Sequence, residues 1–512
     1  MDPKPGMVHL VGAGPGDPGL LTRRGHEALG RAEVVVYDHL ASPRLLDLAP
    51  SSALRIAAGK TIGHCTLSQD EINDVLVAQA RLGRRVVRLK GGDPYVFGRG
   101  AEEAEHLARH GIPFIVVPGV TAALGATSYA GIPVTHRDAA SAVAFVTGHA
   151  QQGADPDQAG RLDWAALARF PGTLVIYMGV TRLSALCRTL IAGGKDPATP
   201  SAMIQSGTLS RQKTVVSTLA DLPDRASEAG IGPPALLVVG EVVARRPELS
   251  WFEARPLFGQ RIVVTRPLDD SDASAEVLEA LGAEVLIAPT VRILPVEDFG
   301  PLDRAIDRLP SFDWLVFTSG NGVRHFLDRL EARGRDLRAL GHLRLAAIGP
   351  STAEALARYR LKADLVPDSY RSEALADALI GPAAGKRVLL ARADRGRTLL
   401  KDVLEGVAEV EQVPTYRNVD AESLPPAVAA RIADGSVDWI TLTSSAIAER
   451  LFALVPGPDR GRLGTSIRLA SISPVTTAAV ARLGASVQAE AEVYTWAGLV
   501  DAIVARVASG EG

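Results

Sequence analysis

The chain has 512 residues, 47% of them apolar and 22% charged, with a net charge of −3 at pH 7. That length supports several domains with separate cores, and the near-neutral balance argues against a nucleic-acid or membrane partner, so any anion site must be a local cluster. The two cysteines, Cys65 and Cys187, stand in no metal-ligand spacing and exclude an extracellular disulfide framework; with no signal segment or membrane-length apolar run, a cytoplasmic location is expected and no metal.

Short Val/Ile/Leu-rich strands alternate with Ala/Leu/Arg-rich helical stretches throughout, the pattern of α/β architecture. A buried strand at Val8–Val11 runs into Gly12-Ala13-Gly14-Pro15-Gly16-Asp17-Pro18, and a second strand, Val34–Tyr37, ends in Asp38. A dinucleotide fingerprint does not fit, because Asp17 stands where a glycine is needed and Pro15 and Pro18 break the turn that should start a helix. The strand Arg85–Leu89 opens into Gly91-Gly92-Asp93-Pro94. Bare glycine amides there can approach a ligand, and Asp93 offers a carboxylate at the rim. Arg88, Lys90 and Arg99 are expected to surround the opening with positive charge, which suits an acidic substrate. An ordinary Gly-Asp-Pro turn with solvated basic neighbours fits the same residues.

Val116-Val117-Pro118-Gly119-Val120-Thr121-Ala122-Ala123 is another strand–turn–helix opening, with side chains small enough for something flat to lie against the backbone. His136 and Arg137 read as an anion contact or as solvated loop residues, and His149 as a structural residue rather than a catalyst. The strand Leu174–Tyr177 ends at Met178, a flexible apolar residue suited either to a soft sulfonium or adenine or to core filling. Ser206-Gly207-Thr208 opens one more loop.

These motifs occur together and in order with Tyr37-Asp38-His39-Leu40, Gly59-Lys60, Phe97-Gly98-Arg99-Gly100, Tyr177-Met178-Gly179 and Gly240-Glu241-Val242-Val243. As a set they closely resemble the tetrapyrrole methylase family, and within it the uroporphyrinogen-III C-methyltransferases, over residues 5–246. The resemblance implies a two-lobed α/β fold, unlike a dinucleotide-binding domain, with S-adenosyl-L-methionine held between the lobes. It implies cofactor contacts at Pro15, Gly91, Gly92, Asp93, Val96, Thr121, Ala122, Met178 and Gly207, with Asp38 as proton acceptor and Lys60 as donor. Arg88 and Arg99 would hold carboxylates of the tetrapyrrole, and the product would be precorrin-2. A homodimer through this domain is expected, and no dehydrogenase–ferrochelatase domain ahead of Val8.

A boundary is expected near Arg245–Gln260, giving a first domain over 1–250 and a second over 258–512. The second carries an internal repeat whose offsets agree within a residue: Asp313-Trp314-Leu315-Val316-Phe317-Thr318-Ser319 returns as Asp438-Trp439-Ile440-Thr441-Leu442-Thr443-Ser444, and Ile348-Gly349-Pro350-Ser351-Thr352 as Ile472-Ser473-Pro474-Val475-Thr476. The strand at Arg261–Thr265 has its counterpart at Arg387–Ala391, after the other elements of its lobe. Two similar parallel-sheet, flavodoxin-like lobes are therefore expected, one over 258–293 plus 418–512 and one over 294–417, with a double crossover near Thr290–Pro295 and Pro414–Val419. The Thr-Ser and Pro junctions fall at strand carboxyl ends, where open α/β sheets bind ligands.

This half, from about Phe258 to Ala508, resembles uroporphyrinogen-III synthase. The resemblance implies dehydrative closure of hydroxymethylbilane with inversion of the last pyrrole ring, using cavity shape and hydrogen bonds. Tyr416 is the candidate for assisting loss of the hydroxyl, with a hinge-packing aromatic as the alternative. Thr318, Ser319, Ser351, Thr443, Ser444 and Thr476 would present hydroxyls and amides to carboxylates, with Arg266, Arg392 and Arg395 adding charge. Val475 stands where the family carries a hydroxyl. The expected whole is a bifunctional enzyme feeding sirohaem or cobalamin synthesis. The rival is an active methylase joined to a non-catalytic tetrapyrrole-binding or regulatory module.

Overall fold

The computed structural model describes residues 5–59, 67–148, 162–369, 371–395 and 398–510. Contacts divide the chain into two units, Met1–Gln260 with Glu279–Glu284, and Arg261–Leu278 with Val285–Gly512. In the first unit, apolar runs too short for helices form a parallel sheet from β1 (Val8–Gly12), β2 (Val34–Tyr37), β3 (Leu54–Ala57), β4 (Val86–Lys90) and β5 (Phe114–Val117), in the order β3-β2-β4-β1-β5. Two clusters cover its faces, one around Leu10, Val36 and Leu76 and the other around Val11, Val35 and Leu89. Burial on both faces is why β1, β2 and β4 read as nearly continuous apolar runs.

The second lobe of this unit is a mixed sheet of β6 (Val143–Thr147), β7 (Thr173–Tyr177), β8 (Pro200–Gln205), β9 (Lys213–Thr218) and β10 (Ala235–Val239), ordered β6-β7-β10-β8-β9. Here β6 and β7 run parallel, and the other pairings are antiparallel.

The second unit holds two sheets, parallel but for one edge strand. One is built from β11 (Arg261–Val264), β12 (Glu284–Ile287), β18 (Trp439–Leu442), β19 (Arg468–Ser471) and β20 (Ala489–Glu490), ordered β12-β11-β18-β19-β20. The other contains β13 (Val291–Pro295), β14 (Trp314–Phe317), β15 (Arg344–Ala347), β16 (Arg387–Ala393) and β17 (Glu409–Asp420), ordered β13-β17-β16-β14-β15. The first order is flavodoxin-like. The second repeats it with its opening strand pair moved to the end, and adds β13 antiparallel to β17.

The duplication extends to individual polar contacts. Asp313 accepts the Arg387 N–H at 2.9 Å, and its equivalent Asp438 accepts the Arg261 N–H at 2.7 Å. The Leu345 N–H donates to Asp364 at 2.7 Å, while the equivalent Leu469 N–H donates to Gln488 at 2.8 Å. Arg344 stacks over Trp314 and Arg468 over Trp439. The repeated Asp-Trp thus ties the amino ends of three strands in each lobe.

Candidate active sites

The carboxyl ends of β1, β2, β4 and β5 lie along one edge of the first sheet. Their loops interlock through backbone. The Ala13 N–H donates to Lys90 O at 2.7 Å, and Gly14 and Gly92 exchange hydrogen bonds at 3.2 and 2.7 Å. Such an approach excludes side chains: a Cβ on Gly12 would lie 2.6 Å from Gly92 O, and one on Gly119 only 2.3 Å from it. Asp93 is tied into the same junction, its Oδ2 accepting the Gly119 N–H at 3.0 Å and its Oδ1 the Tyr95 N–H at 2.8 Å.

The end of β7 meets these loops through Tyr177. Its hydroxyl shares a 2.6 Å hydrogen bond with Thr121 Oγ1 and accepts the Ala123 N–H at 2.8 Å, and its ring stands 4.8 Å from that of Phe97. Burial raises its pKa, so the phenol stays neutral. Around the helix Ala122–Tyr129 the other loops close in. A Cβ on Gly125 would meet Pro15 at 2.4 Å, one on Gly207 would meet Ala126 at 2.2 Å, and one on Gly92 would touch Thr121 and Ala122. Pro15, Gly92, Asp93, Thr121, Ala122 and Gly207 are therefore brought together; Gly91 and half-buried Val96 sit on the same β4 loop.

Met178 follows Tyr177 and is 49% exposed, which removes the core-filling alternative. Among the described residues, six other than glycine have positive φ, and five of them (Phe97, Arg99, Met178, Ser206 and Thr208) lie in these loops. Left-handed backbone costs about 1–3 kcal/mol per residue and gathers where surrounding structure enforces it, typically at functional sites.

The positive rim expected from Arg88 and Lys90 is corrected by their burial: each is 2% exposed. Arg88 Nη2 lies 2.5 Å from Asp38 Oδ1 and its Nε 3.0 Å from Glu103 Oε1, which Lys90 Nζ also reaches at 2.8 Å. A charged side chain on a strand covered from both sides has no route to water, so counter-charge must be buried with it. Asp38 keeps 31% of its side chain exposed and is the member of the cluster that reaches the edge. Burial, then proximity to Arg88, lowers the pKa of Lys90. Arg99 is exposed and paired with Glu102 at 2.6 Å. Lys60 and His149 lie outside the described residues.

In the second unit, Ser319 caps the helix Gly320–Ala332 and Ser444 caps Ser445–Leu454, their hydroxyls accepting the Gly322 N–H at 3.0 Å and the Ile447 N–H at 3.2 Å. Thr318 and Thr443 precede them, half-buried, and Ser351 is exposed. Thr476 is 2% exposed, with its Oγ1 3.3 Å from Ser473 Oγ. Tyr416, where β17 bulges against β16, is 6% exposed; its hydroxyl lies 3.0 Å from Ser319 Oγ and its ring stacks on His325 at 5.6 Å. Arg392 is buried, Arg266 reaches Ser274, and Arg395 pairs with Asp420. Among the described residues no group of three or more His, Cys, Asp and Glu could hold a metal, and no helix is long and apolar enough to cross a membrane.

Residues 7–223 match the family of tetrapyrrole (corrin/porphyrin) methylases, and residues 272–501 match uroporphyrinogen-III synthase HemD. The chain is 37% identical over 450 residues to the porphyrin biosynthesis protein HemD of Ruminiclostridium josui, covering 88% of each chain. It is 42% identical over 370 residues to the uroporphyrinogen-III C-methyltransferase of Bacillus subtilis, covering 72% of this chain and 75% of that one. This chain belongs to the tetrapyrrole methylases, joined to a uroporphyrinogen-III synthase of the HemD family. A crystal structure of the uroporphyrin-III C-methyl transferase of Thermus thermophilus with S-adenyl homocysteine is 41% identical, covers 47% of this chain and 99% of that one, and superposes with a TM-score of 0.40.

Three residues at these sites were not singled out from the sequence. In the methylase half, Glu103 had a legible signal: Gly100, Glu103, Ala104 and Leu107 follow the spacing of a buried helix face. Tyr177 reads only as part of a strand-end motif, since nothing in its neighbours announces the Thr121 contact. In the synthase half, His325 lies within a helix and gains its meaning only from stacking on Tyr416.

Proposed function

We propose that this chain is a bifunctional enzyme of tetrapyrrole biosynthesis. The synthase half closes hydroxymethylbilane to uroporphyrinogen III, inverting the last ring, and the methylase half methylates that product twice to precorrin-2. The two catalytic domains are taken as 1–250 and 258–512, the latter as lobes 258–293 plus 418–512 and 294–417. The observation that carries the reading is Asp38, partly exposed and held by buried Arg88 at the same sheet edge as the glycine junction.

S-adenosyl-L-methionine, when bound, supplies an electrophilic methyl on a sulfonium. The residues fit that group. Gly12 and Gly119 leave backbone bare where a Cβ cannot stand, Gly92 holds a φ of 69° that favours glycine, and exposed Met178 offers a soft, polarizable contact. Holding donor and pyrrole carbon in line supplies most of the rate, and the loops are built to hold: Asp93 fixes Gly119 and Tyr177 fixes the first turn of Ala122–Tyr129. Asp38 then takes the proton lost by the methylated ring system, with Arg88 keeping its carboxylate in place. Arg99, at the exposed mouth, holds a substrate carboxylate, exchanging Glu102 for it. In the synthase half Tyr416 donates a hydrogen bond to the departing hydroxyl, oriented by Ser319, and the capped helix ends receive carboxylates.

The test is anaerobic incubation of the full chain with fresh hydroxymethylbilane, with and without S-adenosyl-L-methionine, resolving products by mass and isomer. Uroporphyrinogen III alone, and a dimethylated product with the donor, are expected. Only the spontaneous type I isomer would remove the synthase activity, leaving a tetrapyrrole-binding module; no mass gain from supplied uroporphyrinogen III would remove the methylase activity.

A further inference from the structure

Ser206 and Thr208 hold positive φ values of 49° and 71° on either side of Gly207. Such a loop needs fixing from outside, and its side-chain fixings lead to one place. The buried Thr208 N–H donates to Gln212 Oε1 at 2.8 Å, and Gln212 Nε2 donates to Glu253 Oε1 at 2.8 Å. Thr214 Oγ1 reaches the same Glu253 oxygen at 2.6 Å, while Arg246 Nη2 lies 2.5 Å from Glu253 Oε2. On its other side, Thr208 Oγ1 accepts the Asp17 N–H at 2.9 Å, and Asp17 Oδ2 accepts the Tyr129 hydroxyl at 2.6 Å. The Tyr129 ring packs on Trp251 and Phe252, and Trp251 Nε1 donates to Ser128 O at 3.0 Å. The Ser206 N–H donates to Pro234 O at 3.0 Å. Both side-chain routes out of Thr208 return to residues 246–253, which lie outside both family matches, ending at 223 and beginning at 272.

We infer that the segment after the methylase match is a working part of the methylase half, with Glu253 as a positioning residue that holds the Ser206-Gly207-Thr208 loop in its strained, ligand-ready form. A carboxylate joined to an arginine, an amide and a hydroxyl at once forms a cooperative network, and removing its centre loosens every member. A strained loop released from such a network relaxes to ordinary backbone, and the ligand must then supply the ordering. The expected consequence for binding rests on the proposed reading of Gly207 as a methyl-donor contact; the expected consequence for the loop itself does not.

Both are measured on the full chain. Amide hydrogen exchange without ligand reads the loop, and calorimetry with S-adenosylhomocysteine reads the site. Glu253→Ala is expected to speed exchange at residues 206–209 and to raise the Kd about tenfold, with hydroxymethylbilane cyclisation unchanged. Gln212→Ala cuts the same chain while leaving Arg246, Glu253 and Thr214 together, so it is expected to match Glu253→Ala and serves if that variant misfolds. Thr214→Val removes a Glu253 contact that does not lead to the loop, and is expected to leave exchange and Kd as they were. Unchanged exchange at 206–209 in Glu253→Ala and Gln212→Ala, or an equal effect in Thr214→Val, would overturn the inference. Faster exchange beside a wild-type chain that binds no S-adenosylhomocysteine would uphold the clamp and sink the methyl-donor reading instead.

Discussion

The Tyr416 hydroxyl lies 3.0 Å from Ser319 Oγ, and that same oxygen accepts the Gly322 N–H at the start of a thirteen-residue helix. A strand from the end of one repeat and a helix cap from its middle therefore share one hydrogen-bonded unit, backed by His325 stacked on the tyrosine ring. A buried tyrosine hydroxyl needs a partner in either role, so removing the oxygen while keeping the ring separates hinge packing from assistance to the leaving hydroxyl. Tyr416→Phe keeps the ring and is expected to cut uroporphyrinogen III formation by roughly 10²-fold, the usual worth of one aimed donor, with type I isomer making up the product. Ser319→Ala leaves the phenol but not its partner and should cost about tenfold. Methylation of supplied uroporphyrinogen III should be unaffected in both, and isomer-resolved chromatography with and without added substrate separates the outcomes.

The glycine junction makes a sharper demand. A Cβ at position 119 would sit 2.3 Å from the Gly92 carbonyl oxygen, a backbone atom that cannot swing aside. Gly119→Ala is expected to spread the loops at the ends of β4 and β5 and to lower methylation by about 10²-fold or more, since a displacement of about 1 Å in a positioning site has that effect. Cyclisation provides the internal control. A Gly119→Ala chain that methylates at the wild-type rate would mean that this junction does not position the reaction.

Which parts of the site were legible follows from what each residue type can hide. Gly12 and Gly119 declared themselves because no other side chain fits where backbones touch, and Gly92 because its φ of 69° suits glycine. The repeat declared itself through Asp313 and Asp438, whose carboxylates tie strand starts in both lobes. Arg88 misled, because a basic residue beside a glycine loop reads as a solvated rim. Its burial depends on Glu103, which the sequence places among Glu102 and Glu105 and only the helical period separates. Tyr177, likewise, is an ordinary strand-end aromatic until the second sheet presents it to Thr121.

The Glu103 carboxylate holds Arg88 and Lys90 through a single oxygen, Oε1. Removing that charge leaves two buried cations facing Asp38 alone. Glu103→Gln is expected to cost about 3–5 kcal/mol near neutrality, read from urea midpoints. The pH dependence has a definite sign. Burial and Arg88 press the pKa of Lys90 below the ordinary 10.5, against Glu103 and Asp38, which raise it. Between that lowered value and 10.5 the unfolded chain keeps a proton that the folded chain has released, so this group makes stability rise with pH there, and its burden is fullest below. The Glu103→Gln deficit should therefore shrink as pH rises towards 10.5, because Lys90, losing a favourable neighbour, sheds its proton earlier. A deficit independent of pH would mean that Lys90 does not feel Glu103.

Cys187 titrates in the opposite sense. Burial in the core around Leu174 and Leu190 pushes its thiol up from 9.0 to about 11. At neutral pH the native chain holds it as an unreactive thiol, so iodoacetamide should label Cys187 only after denaturation, as peptide mass mapping would show. A raised pKa contributes stability that is complete below 9.0 and lost as pH climbs through about 11, because the unfolded thiol gives up its proton first. Replacing it by alanine should flatten that alkaline decline while creating only a small cavity, costing roughly 1 kcal/mol. Rapid labelling of Cys187 in the native chain would mean that the helix Leu183–Ala192 opens far more readily than its buried face implies.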